Sequence, residues 1–322
     1  MKGEIKPHVV VSRCLGFDAC RYNGQSIPDK LVDKLREYVN FTHVCPEVAI
    51  GLGVPREPIR IVQREGKRRL LQPATGREIS EEMKVFAEGF LDELKDIDGF
   101  ILKNRSPSCG IKDVRIYQSV EKGPVAGKGA GFFGGMVIEK FPGLAIEDEG
   151  RLMNYKIREH FLTKLYLRAR FRQARASRDI TDLVAFHTEN KLLLMGYNQK
   201  ELNALGRLAA NKEKKKLDEV LREYEMHLQK ALARAPRCTS NINVLMHAFG
   251  SFKRKISTKE KAFFLETLEK YRNGLIPLGS VQVILNAWIV RFEDEYLMKQ
   301  TFFEPYPIEL VGLVEECLCG EE

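Results

Sequence analysis

The sequence predicts an α/β domain, with a mostly parallel, Rossmann-like sheet and helices on both faces, followed by an all-α C-terminal domain. Three observations predict it. Short apolar runs alternate with segments of helical period over the first half of the chain. From about residue 151 nearly every segment has helical period. The 322 residues also exceed one average domain.

The elements follow in order. "HVVV" (8–11) is an apolar run fit for a buried strand. "PDKLVDKLREYV" (28–39) has Pro28 near a helix start and apolar residues at helical spacing. "FTHV" (41–44) is a second strand. "SEEMKVFAEGFLDEL" (80–94) opens on Ser80 as the expected N-cap, with acids in its first turn. "GFILK" (99–103) is a third strand and "VRIY" (114–117) a fourth. The glycine-rich "GPVAGKGAGFFGG" (123–135) is not expected to open a helix as a phosphate-binding loop must, and reads as a lid or a plain connection. Helical segments then follow one another, with Gly274 and Pro277 as helix-ending punctuation. The expected layout is an α/β domain at 1–160, a basic helical linker at 161–181, an all-helical domain at 182–310 and a tail at 311–322.

Composition narrows the class. Apolar residues make up 44% and charged residues 30%, as in a soluble protein with a real core. No apolar run reaches the roughly 18–20 residues of a membrane span. The first residues lack the features of a signal peptide. A cytoplasmic location is expected, where thiols stay reduced, so the seven cysteines are not a disulfide framework. Charge is uneven. Residues 151–272 hold 27 Lys and Arg against 13 Asp and Glu, whereas the other 200 residues hold 25 against 31. So basic a block predicts a polyanionic partner. "RARFR" (168–172) and "KRK" (253–255) set Arg168, Arg170, Arg172, Lys253, Arg254 and Lys255 as candidate RNA-backbone contacts.

Three cysteines share one kind of position: Cys14 after the first strand, Cys45 after the second and Cys109 in the turn after the third. In an open parallel sheet these strand ends lie on one edge, where ligands bind. Three thiolates are one short of a closed zinc site or a fully ligated cluster. They suit an open iron–sulfur cluster or an open zinc site. In "CPE" (45–47), Glu47 is placed to reach the open coordination position and to exchange protons there. In "SPSC" (106–109), the hydroxyls of Ser106 and Ser108 stand beside Cys109. Arg21, Tyr22, Asn23, Arg56, Lys103 and Ser108 are candidate substrate contacts. Cys20 is not taken as a fourth ligand, because an open site suits catalysis better. His8, His43, His160, His187, His227 and His247 show no ligand spacing and read as core or surface residues. Cys238 reads as structural, and Cys317 and Cys319 as part of the tail.

"VSRCLG" (11–16), "CRYNG" (20–24), "CPE" (45–47), "GLGVPREP" (51–58), "ILKNRSPSCG" (101–110) and the glycine-rich stretch together resemble the thiouracil desulfidase family, over about residues 6–155. The resemblance implies a 4Fe-4S cluster held by three cysteines with one iron open, and sulfur removal from a thiolated pyrimidine without net redox. It makes Cys14, Cys45 and Cys109 the ligands and Glu47 and Ser106 the acid/base pair. "HTENKLLLMGYNQKELNALGRL" (187–208) resembles the helical domain often fused to that family. The fused proteins resemble tRNA 4-thiouridine desulfidases, which implies tRNA as partner. Two rivals stand beside this expectation: desulfuration of free thiouracil bases, and an RNA-binding iron–sulfur sensor without turnover. Nothing in the sequence indicates the oligomeric state.

Overall fold

The computed structural model describes residues 5–120 and 124–311. These fall into two compact units. Of the described residues, those up to Ala169 and from Pro307 to 311 form an α/β unit, and those from Arg170 to Tyr306 a helical unit. Among the described residues no helix is long and apolar enough to cross a membrane. Cys317 and Cys319 lie outside the described residues.

The α/β unit is built on β1 (His8–Ser12), α1 (Lys30–Leu35), β2 (Asn40–Val44), α2 (Pro46–Ala49), β3 (Arg60–Arg64), β4 (Lys67–Gln72), β5 (Arg77–Glu78), α3 (Ser80–Glu93), β6 (Gly99–Leu102), β7 (Val114–Tyr117), β8 (Val125–Gly129), α4 (Phe132–Lys140), β9 (Ala145–Asp148), α5 (Glu149–Leu152) and the first part of α6 (Tyr155–Ala176). Four strands form a wholly parallel sheet in the order β2-β1-β6-β9. Val10 and Phe100 face a core shared with Met83, Ala87 and Leu91 of α3 and Phe133 and Val137 of α4. The opposite face meets α6, since a Cβ added to Gly99 would lie 2.9 Å from Leu165 Cδ1. Both faces of the central strands β1 and β6 are therefore covered, which suits their continuous apolar runs.

The remaining strands make a second sheet in the order β5-β4-β3-β7-β8. The sequence reading assigns "VRIY" to a single mostly parallel sheet; it belongs instead to this second one, beside β3 and β8. Three other details differ from expectation. The first helix covers only Lys30–Leu35, capped by Asp29, whose side chain accepts from Val32 N. Ser80 is not a cap: its Oγ accepts from Leu70 N on β4 at 2.8 Å, so tertiary pairing takes the hydroxyl that a cap would use. The glycine-rich stretch is neither lid nor plain connection. It forms β8 and then opens α4 at Phe132, with Gly131 as the N-cap residue.

The helical unit takes in the second part of α6 and then α7 (Ile180–Glu189), α8 (Lys191–Tyr197), α9 (Gln199–Ala210), α10 (Leu217–Ala231), α11 (Cys238–Gly250), α12 (Thr258–Arg272), α13 (Leu278–Phe292) and α14 (Glu295–Met298). Two aromatic clusters fill its interior: Phe171, Phe186 and Tyr224, and Phe249, Phe252, Phe264 and Trp288. Ser257 and Glu260 form a complete capping box at the start of α12.

Candidate active site

Parallel pairing puts the carboxyl ends of β1, β2 and β6 side by side. Cys14, Cys45 and Cys109 follow those three ends, and they line one cavity of about 360 Å³ together with Cys20, Glu47 and Ser106. All five described cysteines are free thiols. The Cys20 thiol is within reach of those of Cys14 and Cys45. The neighbouring Cys14 pushes Cys20 up to about 11, with burial adding to it. Cys45 is raised by Cys20 and by burial. Burial pushes Cys109 up to about 12, against hydrogen bonding from Ser12. Left to themselves Cys20, Cys45 and Cys109 hold their protons.

Glu47 sits in the first turn of α2, directly after Cys45, and is the most constrained acid of the site. Its Oε2 accepts from Arg56 Nε at 2.8 Å and Nη2 at 2.7 Å. Arg56 Nη1 donates to the carbonyls of Cys20 and Gly53. The Arg56 side chain is buried, and every guanidinium nitrogen is used, so it fastens three segments together rather than waiting for an anion. Glu47 Oε1 accepts from Ser108 Oγ at 2.6 Å, and Ser108 Oγ lies 2.9 Å from Ser106 Oγ. An ionised carboxylate cannot donate, so Ser108 spends its one proton on Glu47. Ser106 then donates to Ser108. Ser106 Oγ in turn accepts from Cys109 N at 3.1 Å. The order is therefore Ser106, Ser108, Glu47.

The Cys109 loop is held from below by the glycine-rich segment. Gly131 N donates to Gly110 O at 2.7 Å, Phe132 N to Pro107 O and Gly134 N to Ser108 O. A Cβ on Gly131 would lie 2.5 Å from Ser108 O and 2.7 Å from Pro107 O, and one on Gly134 would overlap the Gly110 and Cys109 carbonyls. Only glycine permits that approach.

Of the substrate candidates, Arg21, Tyr22, Arg56 and Lys103 line the cavity. Asn23 does not; its side chain bonds Gln25 within the turn. Ser108 is fully buried behind the wall. Lys103 Nζ is paired with the buried Glu149 and with Asn104 Oδ1. Sequence reasoning missed Ser12, Arg13, Asn104 and Arg105, which also line the cavity. Their signal was adjacency to Cys14 and to the strand end at Leu102. Arg105 is exposed, adopts φ 53° and has no side-chain partner among the described residues.

The basic candidates fall in two settings. Arg168, Arg170 and Arg172 are half-buried on α6 and engaged within the protein, Arg170 Nη1 donating to Pro305 O. Lys253, Arg254 and Lys255 are exposed in a turn beyond α11, not in a helix. Cys238 is exposed at the start of α11.

A family model described as 2-thiouracil desulfurase matches residues 9–149. A protein of Bacillus subtilis strain 168, the uncharacterized YbbK, is 35% identical over 109 residues, covering 32% of this chain and 72% of that one. The chain belongs to the 2-thiouracil desulfurase family. Residues 191–307 match a second family, described as a protein of unknown function, DUF1722. The uncharacterized YbgA of Escherichia coli strain K12 is 26% identical over 126 residues, covering 39% of this chain and 75% of its own. Among solved structures, the 4Fe-4S-dependent thiouracil desulfidase TudS is 31% identical, covering 46% of this chain and 94% of its own, with a TM-score of 0.37.

The donor set fits an iron–sulfur cluster in chemistry. It offers soft, free thiols on neighbouring strand ends and one cavity wall, with a carboxylate and hydroxyls beside them. Among the described residues no group of three or more His, Cys, Asp or Glu side chains is arranged to hold a metal ion.

Proposed function

We propose that this chain removes sulfur from a thiolated pyrimidine, with 4-thiouridine in tRNA as the substrate and uridine and hydrosulfide as the products. The observation that carries the reading is convergence. Residues from three separated motifs, Cys14, Cys45 with Glu47, and Ser106 with Cys109, meet in one cavity at the edge of a parallel sheet. Membership of a family described by 2-thiouracil desulfuration supports it.

Cys14, Cys45 and Cys109 would hold a 4Fe-4S cluster, which when bound supplies an open iron, a soft Lewis acid matched to a thiocarbonyl sulfur. The chain's own groups do the rest. Arg56 and Ser108 fix Glu47 at the cavity, where its carboxylate accepts the proton of the attacking water. Ser108 and Ser106 extend that carboxylate along a hydrogen-bonded line to the cavity wall. Once Glu47 holds that proton the line reverses, Glu47 donating to Ser108 and Ser108 to Ser106, which frees the Ser106 proton to return to the leaving sulfur. Carbon–sulfur cleavage is hydrolytic: water oxygen replaces sulfur on the ring carbon, and no electron is gained or lost. Arg21, Tyr22 and Arg105 stand at the cavity to orient the nucleotide. A base in tRNA must leave its stack to enter. The basic stretch at 151–272 supplies attraction for the polyanion.

A second reading, the same chemistry on a free base, is favoured by the family description itself, which names 2-thiouracil. One experiment separates them. Protein reconstituted anaerobically is incubated with thiolated tRNA and, separately, with thiouracil, followed by nucleoside analysis and sulfide assay. Loss of 4-thiouridine with one sulfide per nucleoside is expected. Sulfide from thiouracil alone would move the assignment to the free base, and sulfide from neither would remove it.

A further inference from the structure

The helical unit holds a second cavity, of about 920 Å³, between α7, α8, α9 and α10. Four Lys and Arg side chains stand on it, of which Lys191, Arg207 and Lys212 are uncommitted. All three are exposed, and none has a side-chain partner among the described residues. The fourth, Lys215, is already neutralised, with Nζ 2.9 Å from Glu223 Oε1 and 3.7 Å from Glu213 Oε2. The balance of uncommitted charge is therefore positive.

The floor carries a directed donor. His187 Nδ1 lies 3.0 Å from the hydroxyl of Tyr224, which is fully buried. Burial raises the Tyr224 pKa and so keeps its proton, which has no other acceptor among the described residues. Tyr224 donates to Nδ1, and the proton of a neutral imidazole then sits on Nε2. Burial, with Lys191 nearby, favours that neutral form. A Cβ added to Gly206 would lie 3.3 Å from His187 Nε2. Glycine inside a helix costs roughly 1 kcal/mol relative to alanine. Here its missing side chain leaves the Nε2 edge open. Met195, Leu202 and Leu208 add apolar lining. The volume lies in the range of small-molecule sites, about 300–1,000 Å³.

We infer that this cavity binds a nucleotide-sized organic phosphate, with Lys191, Arg207 and Lys212 on the phosphate and His187 Nε2–H donating from the floor. The nucleotide is either free or part of an RNA strand. The inference goes beyond the desulfidase reading and does not depend on it, because it is tested by binding alone.

The test uses the full chain and three probes: uridine 5′-monophosphate, uridine, and an unmodified tRNA transcript. Variants are Arg207→Ala, Lys212→Ala and Gly206→Ala, with Lys230→Ala as a control for an exposed cation outside the cavity. Unchanged melting shows that each is folded, and Gly206→Ala raises intrinsic helix propensity. The monophosphate should bind and uridine should not, and Arg207→Ala should weaken it about 10- to 100-fold, as for a charged hydrogen-bond partner. Gly206→Ala should weaken it while Lys230→Ala does not. If only the transcript responds, and in the same order of variants, the nucleotide belongs to RNA and the inference stands. Equal binding of uridine and its monophosphate overturns it. So does a transcript affinity that Lys230→Ala lowers as much as Arg207→Ala, or that no cavity variant changes.

Discussion

Ser108 donates its hydroxyl proton to Glu47 across 61 positions of sequence, at 2.6 Å, and so joins the Cys45 strand end to the Cys109 loop. The same oxygen lies 2.9 Å from Ser106 Oγ, so the two expected proton carriers are linked only through a third residue. Ser108→Ala should break that line without touching a cavity wall. Turnover is expected to fall by about tenfold or more, while Ser108→Thr, which keeps the hydroxyl, recovers part of it. Steady-state desulfuration beside the visible absorbance of the reconstituted protein would check this. Full activity in Ser108→Ala would mean that Glu47 and Ser106 act separately.

Glu47→Ala should keep the iron–sulfur absorbance and lose turnover. A positioned acid/base group contributes about 10²–10⁴ in rate. Near-normal activity with full iron content would rule out water activation by Glu47.

Arg56 should matter more to folding than to substrate affinity. Its guanidinium is used on Glu47 and on two carbonyls, with both side chains of the pair largely buried. Arg56→Ala leaves a buried carboxylate unpaired, and the expected loss is about 3–5 kcal/mol of stability. Lysine cannot reproduce the fork, so Arg56→Lys should recover little. Urea unfolding of the two variants measures it.

Cysteine replacement separates ligands from a neighbour. Cys14→Ala, Cys45→Ala and Cys109→Ala should each abolish iron and sulfide binding, as measured after anaerobic reconstitution. Cys20→Ala should retain the iron, although Cys20 lines the same cavity. Loss of iron in Cys20→Ala would make it a fourth ligand and close the site.

Gly131→Ala tests the buttress under the Cys109 loop. The added Cβ would press on the Ser108 and Pro107 carbonyls, so either α4 or the loop must shift. A cost of about 1–3 kcal/mol is expected, as for overpacking a close contact, together with reduced iron content. Thermal melting and iron analysis check both parts.

How far the sequence reached is clearest at the cysteines. Two of the strands before them, "HVVV" and "GFIL", carry continuous apolar runs, and "FTHV" is a short stretch of aromatic and β-branched residues; such segments are readable without tertiary knowledge. Parallel strands share a carboxyl edge, so Cys14, Cys45, Cys109, Glu47 and Ser106 could be assigned to one site before any coordinates. The second sheet was not readable. β3 and β4, "RIVQR" and "KRRLLQ", carry charges that break the strand pattern, and they hold together through pairing with each other and with β7.

By itself the sequence determined the α/β-then-helical order, the shared strand-end position of three thiols and the basic second half, because each is a property of short segments or of summed charge. Tertiary structure alone decided that Ser108 lies between Glu47 and Ser106, that Arg56 is a fastening rather than an anion receptor, and that "GAGFFGG" underpins the Cys109 loop. It also decided that Gly206 opens the edge of His187. Each of these rests on at least one contact between segments well separated in sequence or on different helices, set by how packed elements bring backbone and side chain together, and no local pattern encodes that distance.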